Sequence, residues 1–151
     1  MSAQTNHRDG VNIDESTHAI YKRLTGADAD PTEKPNADST PFRTMKDVFM
    51  WSLCLGARSG RRRALAKKVK LFDWGVFSQD VDRPCITAIA LAETKDIETL
   101  LDQDVVLTIA EEYANEGVHE LNSRLLENGK QPLTNLVSFL GEMEAAEHSH
   151  C

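Results

Sequence analysis

The sequence predicts an all-α protein: a compact bundle of four to five helices with a short aromatic connector. Three observations carry that expectation. Apolar residues recur at helical spacing from Val105 to Leu125, and again from Leu133 to Met143. The stretch Met45–Leu55 is apolar almost all the way round, as suits a helix buried on every side. At 151 residues, with 40% hydrophobic and 27% charged residues, the chain is long enough to bury one core.

The elements follow in chain order. Met1 to Asn12 is polar and reads as loose. Asp14-Glu15-Ser16 offers capping groups for a short helix over His18–Thr25, ended by Gly26. The stretch 26–41, with three prolines and little to bury, reads as a linker. Residues 1–41 are therefore expected to be a flexible N-terminal arm with a short helix, 42–141 a helical domain and 142–151 a polar tail. Thr40 or Thr44 caps the next helix, and Gly56 is expected at its C-cap. Leu71–Pro84 reads as a short aromatic connector, either an extended piece or a loop pinned by its aromatic side chains, with Pro84 opening a helix. That helix continues, or restarts at Asp96, with Ile97, Leu100 and Leu101 facing inward. Asp104–Asn128 is the clearest amphipathic helix, its outer face carrying Glu111, Glu112, Glu116 and Glu120. Gly117 within it costs about 1 kcal/mol against alanine, so a close helix contact or a bend is expected there. Pro132 opens the last helix, with Leu133, Leu136, Val137, Leu140 and Met143 on one face.

The formal net charge is −7, which excludes a bulk cationic coat for nucleic acid. Yet Arg58, Arg61, Arg62, Arg63, Lys67, Lys68 and Lys70 lie together, seven of the 17 Lys and Arg. Such a strip can grip phosphates by releasing counterions, dock an acidic partner, or stand as a solvated face. Trp51, Phe72, Trp74 and Phe77 flank it and are candidates for base stacking.

Other chemistry is thinner. His148, His150 and Cys151 would be three ligands on a frayed end, a poor metal site. Cys54 and Cys85 read as buried structural thiols, and of the histidines only His119 lies in the main body. Phosphate loops of P-loop or Rossmann spacing are absent, as is a helix-turn-helix pattern. No catalytic residue, metal or cofactor is assigned. Three cysteines, without an apolar leader or a bilayer-spanning run, suggest a cytoplasmic protein with reduced thiols.

The motif order is informative beyond its chemistry. The runs KDVFMWSLCLGARSGRRRAL, FDWGVFS, ITAIALAETKDIETLLD and LTIAEEYANEGVHELNSRLLE resemble the small accessory proteins associated with bacterial and archaeal DNA phosphorothioation (Dnd-type) systems. The likeness spans about Phe42 to Leu140. It implies a helper protein of a modification-restriction defence, with proteins of that complex, and DNA through the strip, as partners. It carries over no catalytic residue. The expected function is a non-enzymatic adaptor. The alternatives are a subunit of a nuclease complex, for which Asp73, Asp80 and Asp82 are the available acids, and a DNA-binding regulator of the gene cluster.

Overall fold

The computed structural model describes residues 8–27, 32, 38–127 and 131–148, without the side chains of 147 and 148. The order is β1 (Gly10–Asp14), α1 (His18–Thr25), α2 (Met45–Ser59), β2 (Lys68–Asp73), α3 (Asp82–Thr94), α4 (Gln103–Leu125) and α5 (Pro132–His148). Short 3-10 turns occupy Glu15–Thr17, Trp74–Val76 and Ile97–Leu101. The protein is mostly helical but not all-α, because β1 and β2 form a two-stranded antiparallel sheet.

The sheet corrects the expected arm. Val11 and Ile13 alternate inward at period two and are buried, so the polar residues between them mask a strand. β1 pairs Ile13 with Val69 and Val11 with Phe72, with an irregularity between Val11 and Asn12 that leaves Leu71 extra on β2. Both Leu71 and Phe72 then pack on the core. α1 buries Tyr21 and Leu24 and ends at Gly26, whose φ is 77°. Residues 10–25 thus belong to the body. Most of the linker at 26–41 lies outside the described residues. The expected polar tail begins inside α5, which runs on to His148.

α2 starts with a capping box. The Thr44 hydroxyl accepts from the Asp47 N–H at 3.2 Å, and the Asp47 carboxylate accepts from the Thr44 N–H at 3.3 Å. The helix ends at Gly60, φ 71°, and not at Gly56. Gly56 is buried inside the helix, where it meets α4. A Cβ at Gly56 would stand 1.9 Å from the Tyr113 carbonyl oxygen, and one at Gly117 would stand 1.7 Å from that of Ser52. Of the two roles expected for Gly117, close contact is the one found. α2 and α4 cross with backbones touching, and only glycine fits at either position.

α4 is the central element, packing on α2, α3, α5 and β1. Ile109, Tyr113, Leu121 and Leu125 are buried, as their spacing predicts. α5 packs with a different face from the one expected: Leu136 and Phe139 are buried while Val137 and Leu140 are exposed. Ile97 and Leu101 also face solvent, and of that turn only Leu100 packs on the core. Pro84 lies at the third position of α3, still within the first turn, where its missing N–H is tolerated.

Candidate functional site

The basic strip is three structures in sequence. Arg58 is in the last turn of α2, Arg61, Arg62 and Arg63 lie on the irregular connector between α2 and β2, and Lys67 precedes β2, which carries Lys68 and Lys70. All seven side chains reach the surface. The connector does not hang free, because α4 holds it. Backbone N–H of Arg63 donates to the Glu112 carbonyl at 3.1 Å. The Asn115 side-chain amide donates to the Arg63 and Ala64 carbonyls at 3.2 and 3.3 Å. Further on, the Ala66 N–H donates to the Asp14 carboxylate at 2.6 Å. The Ser16 N–H first, and that contact second, hold the Asp14 carboxyl below its ordinary value.

Charge follows the same path. The Arg62 guanidinium bridges Glu93 at 2.9 Å and Glu112 at 3.0 Å, and lies 6.0 Å from the centre of the Tyr113 ring. The Tyr113 hydroxyl donates to Glu93 at 2.5 Å. That bond first, and Arg62 second, hold the Glu93 carboxyl below its usual value. Arg63 pairs with Glu116 at 2.8 Å. Lys67 pairs with Glu15 at 2.8 Å and Lys70 with Asp73 at 2.6 Å. Among the described residues Arg58, Arg61 and Lys68 form no ion pair. The acids answering the strip, Glu112 and Glu116, were expected on a solvated outer face of α4. Their spacing of four, one helical turn, signals that the two acids share one face of α4, but not which segment meets it.

Glu111 departs furthest from that expectation. Its side chain is 2% exposed and accepts from Arg8, which also reaches Asp104 at 3.0 Å, and from the Asn12 N–H at 2.5 Å. It thereby ties the chain before β1 to α4. Burial raises its carboxyl above the usual value against the pull of Arg8. His119, further along α4, has its pKa pushed down by burial first and by Arg63 second.

The remaining candidates resolve individually. Phe77 is buried, and Phe72 and Trp74 pack edge-on against it at 5.1 and 5.4 Å, so this aromatic set is occupied in the core. Trp51 is half-buried with its ring edge-on to Phe42 at 6.0 Å. Cys54 is exposed as a residue rather than buried, and partial desolvation of its thiol first, with Cys85 second, pushes that thiol up to about 11. A thiol so raised is a poor nucleophile. Asp82 is engaged by Ser78 and Lys46, and Asp73 by Lys70. Among the described residues no group of three or more His, Cys, Asp and Glu side chains could hold a metal ion. His148, His150 and Cys151 lie outside the described side chains. No described helix is long and apolar enough to cross a membrane.

Comparison with known proteins supplies the family. Residues 29–150 match the model of DNA sulphur modification system-associated protein 4, and the chain belongs to that family. The match runs further toward the C-terminus than the motifs at 42–140 indicate, taking in all of α5. No curated protein and no solved structure matches the chain.

Proposed function

We propose that this protein is a non-enzymatic accessory subunit of a DNA sulphur modification system, acting as an adaptor that docks on a protein of that system. Membership of the family supports the association. The observation that carries the adaptor reading is the neutralised strip: Arg62 and Arg63 spend their charge on Glu93, Glu112 and Glu116. A cation already paired with a carboxylate releases few counterions from DNA, and the net charge of −7 repels the duplex elsewhere. The connector is therefore a preorganised polar surface better suited to a protein than to a phosphate backbone. Affinity purification from the native host, with mass spectrometry, tests this. Recovery of phosphorothioation or restriction proteins is the expected outcome, and a list without them would overturn it.

DNA contact is the second reading, and a specific observation favours a narrow form of it. Arg58, Arg61 and Lys68 have no ion pair among the described residues, so they are the strip cations available to phosphate. Replacing these three with alanine would abolish such binding, whereas Arg62→Ala and Arg63→Ala would act mainly on the connector.

A further inference from the structure

The turn between α3 and α4 is built to present apolar side chains outward. Ile97 is 71% and Leu101 83% exposed. Neither reflects a loose loop. Lys95 closes α3 with a left-handed φ of 55°, its N–H donating to the Leu91 carbonyl at 2.7 Å. The Asp96 carboxylate caps the turn by accepting from the Glu98 N–H at 3.0 Å. That of Asp102 accepts from the Asp104 N–H at 3.1 Å and opens α4. Leu100 anchors the turn on the core. A fixed turn with two isoleucine- and leucine-sized side chains in water is the form of a docking knob.

Its charge selects the occupant. Asp96, Glu98 and Asp102 are exposed on the same segment, 95–102, which carries one cation, Lys95. Such a segment repels DNA and anionic lipid. It also opposes a symmetric second copy, in which acid would meet acid. Proteins that handle DNA carry the opposite sign, since they must neutralise phosphates. We infer that Ile97–Leu101 is an apolar knob that enters a pocket rimmed by Lys and Arg on a DNA-handling protein of the sulphur modification system. The identity of that partner rests on the proposed adaptor role; the knob itself rests on its own geometry.

The experiment titrates the fluorescently labelled full chain with each purified protein of the system, at two salt concentrations. Ile97→Ser with Leu101→Ser should weaken binding at least tenfold while the melting temperature stays at that of the parent. Glu98→Gln should weaken it by a smaller factor, seen at low salt only. Should the double variant melt lower, Leu101→Ser alone carries the comparison. Parent-like binding by a variant that melts like the parent would overturn the inference. So would a parent that binds none of these proteins, or a parent dimer that the double variant dissolves. Arg62→Ala with Arg63→Ala, which alters the connector, separates the two proposals. Loss of binding there alone leaves the adaptor role standing and overturns the knob, and loss in the knob variant alone supports the knob and moves the adaptor's docking face away from the connector.

Discussion

Two faces of α4 are held by different physics. Toward α2 the contact is steric: Gly56 and Gly117 let the backbones touch, and Leu53, Ile109 and Leu121 are buried in the same core. Toward the 60–67 connector the contact is electrostatic, built from Glu112, Asn115 and Glu116 at the surface. The first arrangement excludes water and tolerates no added atom. The second stays wet, screens with salt, and can exchange its partners. Stability is therefore expected to reside in the glycine seam, and binding behaviour in the connector.

The largest effect should come from Gly117→Ala. Its methyl would meet the Ser52 carbonyl at 1.7 Å, and a backbone neighbour cannot swing away. Overpacking typically costs about 1–3 kcal/mol, occasionally more, and this site, where two backbones would have to part, should exceed that range and the cost of truncating a core side chain. A melt equal to the parent's would show that the helices are not in contact there. Next comes Ile109→Ala, which truncates a fully packed side chain at about 2–5 kcal/mol. Trp51→Ala should cost less, because the half-buried ring leaves less to lose. A reversed order would contradict the burial assignment.

On the electrostatic side, Arg62→Ala with Arg63→Ala should lower stability by about 1 kcal/mol or less, since exposed pairs are individually weak. The loss should shrink in high salt, whereas that of Gly117→Ala should not. The acids sharpen this contrast by the direction of their pH dependence. Glu93 and Asp14 are depressed in the folded chain, so their stabilisation is present above the ordinary carboxylate range and is lost as pH falls through their folded values. Glu111 is raised, so its contribution favours folding at low pH and fades as pH rises through its folded value. Glu93→Gln should accordingly flatten the acid limb of stability against pH. Denaturation curves from pH 3 to 7 would show this, and an unchanged limb would remove Glu93 from the network.

Much of this architecture is legible in the amino-acid pattern. The repeat from Val105 to Leu125 marks α4, and Gly117 within it marks a close approach or a bend, of which the fold shows the approach. The sheet escaped for a physical reason. KVKLFD alternates at period two, but its two lysines also read as the end of a cationic strip, and a strand of five residues gives a weak pattern against polar neighbours. Gly56 was expected as a cap because two glycines four apart can each end a helix, and only the fold decides that Gly60 does. The strip itself was visible. Its counter-ions were not, because periodicity shows which residues share a face and not which segment crosses it.

The central claim is that much of the strip's charge is spent within the chain. Binding of a fluorescent duplex across a salt series measures it directly, since each phosphate contact contributes about 0.9 to the slope of log affinity against log salt. With only Arg58, Arg61 and Lys68 available, the account predicts a slope no steeper than about 3, or no measurable binding. A slope near 6, as seven free cations would give, would contradict it.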